Sequence, residues 1–176
     1  MTTTPRARAR LIVTIGPPGA GKTTWRHHHA PPSALIVSLD ELRATFSRCG
    51  CSGDHRANPE AVAHGLQLTR DALAGDRTVV WDITAFRPYF RHNLLQVAAE
   101  HQARTVGVLF LPPVAVALAR NATRDAQMCP DCRTARRVPA DTIRAMHEAI
   151  TTDLPRLHTE GWHTLHHQPP HSQEVA

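Results

Sequence analysis

The 176-residue sequence predicts an α/β fold, a parallel sheet covered by helices on both faces. Three observations lead to it. Short apolar runs recur along the chain with amphipathic stretches between them: LIVTI (11–15), ALIV (34–37), TVVW (78–81), TVGVLF (105–110) and a weaker WHTLH (162–166). Hydrophobic residues make up 41% of the chain and aromatics only 5%, so the core must be built from aliphatic side chains, which suits this class. The length allows one well-buried core and is too short for two typical domains.

Taken in order, LIVTI leads directly into GPPGAGKT and a helix over 22–29. The HHH at 27–29 reads as a solvated helix end, neither a tag nor a metal site. ALIV runs into SLDELR (38–43), which opens a helix over 40–46. The segment 47–58, SRCGCSGDHRAN, holds turn formers and two cysteines and fits no element, so it reads as a functional loop. A helix over 59–74, the strand TVVW, a helix over 87–102, the strand TVGVLF and a helix over 114–126 follow. A second cysteine-bearing loop, QMCPDCRTARRV (127–138), precedes the last helix, 140–158, and the weak fifth strand. Residues 10–168 are expected to form a single domain with a lid at about 114–138, between a flexible basic start (1–9) and a flexible tail (169–176).

Lys and Arg exceed Asp and Glu by 20 to 15, and the sequence pI is near 9.7. That balance favours polyanionic partners such as nucleic acid or nucleotides, although an Arg-rich composition drifts basic without one. The opening MTTTPRARAR is basic, but the apolar run after it is too short for a signal-peptide core or a membrane span. The expectation is a cytoplasmic protein with no membrane partner, whose four cysteines are thiols, metal ligands or redox groups. Homo-oligomerisation is left open.

Gly16, Gly19, Gly21, Lys22 and Thr23 satisfy G-x-x-x-x-G-K-[ST] between a strand and a helix, the context this phosphate-binding motif requires. The glycines let backbone N–H groups converge on phosphate oxygens, and the helix N-terminus adds partial positive charge. Lys22 reaches the β and γ phosphates, the Thr23 hydroxyl ligates Mg²⁺, and Thr24 completes the cradle. The cofactor expected is ATP or GTP with Mg²⁺; the bland alternative is a glycine-rich structural turn. Asp82, at the end of TVVWD, is placed to meet the Mg²⁺ shell, or else to cap a helix. Asp40 and Arg43 lie three positions apart, on neighbouring parts of one helix face, and present an acid and a base together at the mouth of the sheet. The plain alternative is that Asp40 is an ordinary helix cap.

With GPPGAGKTTW, SLDELR, VVWDIT and ARNATR in this order, the chain resembles the kinase module of phage-type polynucleotide 5′-kinases and related bacterial RNA-repair kinases over roughly residues 10–166. The resemblance implies a P-loop kinase fold with a five-stranded parallel sheet ordered 2-3-1-4-5 and a helical lid. It implies that Asp40 is the general base on the acceptor 5′-hydroxyl and that Arg43 holds the neighbouring acceptor phosphate. Arg120, Asn121 and Arg124 match the family's R-N-x-x-R lid pattern, and Val138, Pro139 and Ile143 match the V-P-x-x-x-I/L segment after it. The chemistry agrees: a hydroxyl needs a carboxylate to take its proton, and the phosphoryl in flight needs fixed cations, which Arg120 and Arg124 supply. The chain departs from the family at Ala85, where Asn is usual, and in a longer lid loop that contains CPDC. No phosphatase module follows, so the resemblance implies healing of the 5′ side alone.

Cys49 and Cys51 form C-G-C, and Cys129 and Cys132 form C-P-D-C. Two close pairs in unassigned loops are what a Cys₄ structural Zn²⁺ site requires; thiol–disulfide control of lid closure and four unremarkable thiols are the alternatives. The sequence therefore reads as an NTP-dependent phosphotransferase acting on 5′-hydroxyl ends of RNA or DNA. A small-molecule kinase of the same fold with an antibiotic, sugar or nucleoside acceptor is the first rival. A zinc-dependent nucleic-acid binder with a nucleotide switch site is the second.

Overall fold

A computed structural model describes residues 9–169. The expected flexible ends lie outside these residues except at residue 169, which is exposed, and residue 9, where Ala9 is buried and its carbonyl accepts the Arg104 N–H at 2.9 Å. The sheet comprises β1 (Arg10–Ile15), β2 (Leu35–Ser38), β3 (Thr78–Asp82), β4 (Arg104–Phe110) and β5 (Thr164–Gln168). All pairings are parallel, in the order β2-β3-β1-β4-β5 that the resemblance implies. Around it lie α1 (Lys22–His29), α2 (Leu39–Phe46), α3 (Asn58–Ala74), α4 (Pro88–Glu100), α5 (Val114–Ala122) and α6 (Ala140–Leu157).

Alternation along β1 divides the core between two faces. Leu11, Val13 and Ile15 join Trp81, Leu94, Leu109 and Ile150 on one side, while Ile12 joins Trp25, Val80, Val108 and Phe110 on the other. Trp81 is fully buried, and its indole N–H donates to Thr69 Oγ1 at 2.8 Å, so the largest core side chain carries no orphaned polar atom. Gly65 lets α3 lie this close: a Cβ there would stand 2.9 Å from the Trp81 ring and 3.0 Å from Val37.

Several boundaries differ from the sequence expectation. A single 3₁₀ turn, His55–Ala57, breaks the first cysteine-bearing loop, started by Asp54, whose carboxylate accepts the Arg56 N–H. Helix α5 ends at Ala122 instead of 126, because the Thr123 hydroxyl donates back to the Arg120 carbonyl and Arg137 draws the Arg124 carbonyl away at 3.1 Å. The fifth strand begins at Thr164, two residues after Trp162. Gly161 holds φ 98° there, and the exposed His163 pairs with Thr105 before the strand starts. Among the described residues no helix is long and apolar enough to cross a membrane.

Candidate functional site: a phosphate cradle beside two arginines

Strand register brings the chemistry-bearing residues to one edge of the sheet. β2 and β3 pair so that Ser38 lies opposite Asp82, and β1 ends at Ile15 immediately before the glycine loop. Position 14 fixes the neighbouring strand end: the Thr14 hydroxyl lies 3.2 Å from the Trp81 carbonyl and accepts the Ile83 N–H at 3.1 Å. Asp82, between those two, is thereby held at the mouth.

In the loop, Gly21 takes φ 101°, a left-handed turn that starts α1 without a side-chain cap and leaves its first N–H groups open to an anion. Gly19 lies under Ala117 of α5 so closely that a Cβ would strike that residue's carbonyl. Helix α5 is thus bedded on the glycine loop. Its consequence is a cavity of about 160 Å³ lined by Gly19, Gly21, Lys22, Thr23, Thr24, Arg120 and Arg124. The structure therefore brings both Arg120 and Arg124 to the cradle, although Arg124 stands in the turn past the helix. A larger, more open groove of about 570 Å³, between Phe86–Pro88 and α6, shares no lining residue with the cradle.

Lys22 is 8% exposed and donates from Nζ to the carbonyls of Gly16 and Pro17, both at 2.9 Å. Burial brings its pKa down to about 8, with Arg124 lowering it further and Asp82 and Asp40 opposing the shift. Asp82 is shifted upward, first by burial and against the attraction of Lys22 and Arg26. The Thr23 hydroxyl donates toward Asp82 Oδ2 at 3.4 Å. Two hard oxygens side by side at the edge of a phosphate cradle are the donor set Mg²⁺ takes, so Thr23, with Asp82 behind it, fits that ion. Asp82 caps nothing: α4 begins six residues later, at Pro88.

Helix α2 is capped by Ser38, whose hydroxyl accepts the Glu41 N–H at 3.4 Å, so Asp40 is not the cap. Its carboxylate is largely exposed and ion-paired with Arg43. Arg43 is mostly covered; its Nε donates to the Ser52 carbonyl at 2.6 Å and its Nη1 to Asn58 at 3.2 Å. Those three bonds use three of five guanidinium N–H groups.

Three residues to which the sequence reading gave no role of their own organise the site. Arg26 lies 3.2 Å from Asp82 and 2.9 Å from Glu41, tying α1 to β3 and α2; its position three residues after Thr23 on one helix face is the signal that marks it. Arg91, fully buried, donates to the carbonyls of Ala85 and Phe86 and pairs with Glu160 and Asp153. It fixes the loop after β3, where Ala85 takes φ 44°. No local pattern announces it. Asn121, quoted above only as part of a pattern, donates to the Val138 carbonyl at 2.8 Å and accepts its N–H at 3.1 Å, joining the two ends of segment 121–138.

The cysteines are also brought together. All four are free thiols, and one sulfur from each of Cys49, Cys51, Cys129 and Cys132 lies within 4.8 Å of the others. The Cys132 and Asp131 N–H groups and the Cys51 thiol hold Cys129 down to about 7; the bond to Cys129 pushes Cys51 up to about 12. Cys49 is lowered chiefly by the Ser47 hydroxyl. The histidines at 27–29 form the exposed last turn of α1.

A family model described as an AAA domain matches residues 11–152. Among solved structures the chain is similar to a chain of the Pnkp1/Rnl/Hen1 RNA repair complex, with TM-score 0.69 and 17% identity over 88% of this chain and 48% of that one. It is similar to shikimate kinase from Acinetobacter baumannii in complex with shikimate, with TM-score 0.51 and 16% identity over 93% and 86% of the two chains. It is also similar to Kti12 from Chaetomium thermophilum in complex with ADP-AlF3, with TM-score 0.54 and 16% identity over 93% and 91%. The chain spans about half the length of the RNA-repair chain it matches. No curated protein matches it. At these identities the likeness is one of architecture: the P-loop kinase fold.

Proposed function

The chain belongs to the AAA domain family matched over residues 11–152, and from that premise we propose that it is a phosphotransferase that moves the γ-phosphate of a nucleoside triphosphate to a 5′-hydroxyl end of RNA or DNA. One observation carries the reading: Arg120 and Arg124 face the glycine loop across a single cavity, while Asp40 lies close enough to Lys22 to act on its charge. A site that only stored a nucleotide would need no further carboxylate at that mouth beyond Asp82.

In this reading the loop N–H groups and Lys22 take the β and γ phosphates. Thr23 would hold Mg²⁺ with Asp82 behind it, and the ion would neutralise phosphate charge. Asp40 accepts the proton of the acceptor hydroxyl as the oxygen attacks, and Arg120 and Arg124 stabilise the charge on the transferring phosphoryl. Arg43 orients Asp40 and keeps two N–H donors for the phosphate next to the reacting end. The positive balance of the chain and the RNA repair complex among its structural neighbours support a polynucleotide acceptor.

A small-molecule acceptor is the second reading, supported by the shikimate kinase neighbour and by the engagement of Arg43 with protein atoms. Transfer of labelled γ-phosphate from ATP to 5′-hydroxyl oligonucleotides, run beside nucleosides, sugars and hydroxy acids, separates the two. Label on the oligonucleotide at much the highest kcat/KM supports the first reading. Label only on a small molecule replaces it.

A further inference from the structure

We propose that Cys49, Cys51, Cys129 and Cys132 together bind one Zn²⁺, which fastens the lid loop to the connection between α2 and α3. In a tetrahedral thiolate site with Zn–S of about 2.3 Å the sulfurs stand about 3.8 Å apart. Four sulfurs already within 4.8 Å of one another need only a small inward movement to reach that geometry. Four soft sulfur donors leave no open position, so the centre is structural.

The surrounding chain is built to hold the sulfurs in place without the metal. The Cys129 N–H donates to the Thr134 carbonyl and the Arg133 N–H to the Cys129 carbonyl, both at 2.9 Å, with Arg133 at φ 56°. This closes the CPDC turn. On the facing loop, Ser47 lies 3.0 Å from the Cys49 sulfur and donates to Asp54 at 2.8 Å, while Asp54 pairs with Arg56. The two loops touch at Gly53, where a Cβ would stand 2.6 Å from the Thr134 hydroxyl, itself 2.9 Å from the Cys132 sulfur. Backbone N–H groups of Cys132 and Asp131 favour the thiolate of Cys129, and that of Cys51 the thiolate of Cys49, the form a metal takes. A Zn²⁺ with four thiolates carries two net negative charges, and Arg56 lies where the charges of Cys132 and Cys49 reach it. Binding takes all four cysteines as thiolates and releases to water the protons of those still present as S–H; no oxidant or reductant takes part.

The clip joins the two halves of the site. The connection it grips follows α2, which carries Asp40 and Arg43; the lid loop it grips follows Arg120 and Arg124. The inference stands on sulfur geometry and does not depend on which acceptor is phosphorylated.

Untagged protein, purified without a metal column, is assayed by elemental analysis and by release of metal to a chromogenic indicator as thiols are titrated with a mercurial. Close to one zinc per chain is expected, released as all four thiols react. Cys49→Ser and Cys132→Ser, made separately, are expected to lose the metal and to be cleaved within residues 127–138 at least about tenfold faster, while still retaining ATP. Zinc-supplemented wild-type protein with less than a tenth of an equivalent and four freely reactive thiols overturns the proposal. So does a stoichiometric iron content, or a reversible disulfide in place of metal; these measurements on the wild type stand even where a variant fails to fold.

Discussion

Arg43 turns back along α2 to pair with Asp40, and its other contacts, to the Ser52 carbonyl and Asn58, anchor the pair to the loop beyond the helix and to the first residue of α3. The carboxylate is therefore held by a residue that is itself held. Asp40→Asn keeps the shape and removes the base, so kcat should fall roughly 10²-fold or more with little change in ATP affinity. Near-normal turnover of the Asn variant at saturating acceptor would show that Asp40 takes no proton.

Arg43→Ala separates two tasks. As the support of Asp40 it should lower kcat for every acceptor, and as a phosphate donor it should also raise KM for acceptors that carry a phosphate beside the reacting hydroxyl. Comparing a nucleoside with an oligonucleotide reads both effects. Loss of kcat alone, equal on the two acceptors, would confine Arg43 to positioning.

Burial holds Lys22 at about 8, below the ordinary lysine value of 10.5, in the nucleotide-free protein. A bound triphosphate favours the charged form and raises that value, so between the two pKa values binding takes up a proton. Triphosphate affinity should be flat near neutral pH and should then weaken by up to about tenfold per unit as pH rises above 8. Calorimetric titration from pH 7 to 9.5 checks this, with Lys22→Met expected to bind weakly at every pH. A wild-type affinity unchanged across the range would mean that Lys22 stays charged throughout.

Asn121 makes both of its bonds to Val138, and it is 4% exposed. Asn121→Ala should leave the Val138 N–H and carbonyl without their partner, lowering kcat about tenfold through misplacement of Arg120 and Arg124. Asn121→Asp, which keeps the acceptor and loses the donor, should fall between. Equal activity in all three proteins would detach the lid closure from catalysis.

Thr69→Val changes no volume of consequence but removes the acceptor of the buried Trp81 N–H. Unfolding in urea should show a loss of about 1–3 kcal/mol with ATP affinity unchanged. An unaltered midpoint would show that the indole finds another partner.

The sequence by itself determined whatever is decided within one turn or one loop. The strands and helices followed from apolar spacing, and the glycine loop from residues contiguous in the chain, because convergence of its N–H groups is a local backbone property. Asp40 and Arg43 share a helix face at i, i+3, so their meeting was also legible. Tertiary structure alone decided the rest. Arg124 left the helix that spacing assigned it because Thr123 and Arg137 take the last carbonyls, yet it still reached the cradle because Gly19 admits α5 so closely. Arg91 disappeared into the core behind Ala85 because Glu160 and Asp153, distant in sequence, neutralise it there. The four sulfurs converged for the same kind of reason: two loops some eighty residues apart meet only once the sheet register and the lid packing have set where each of them ends.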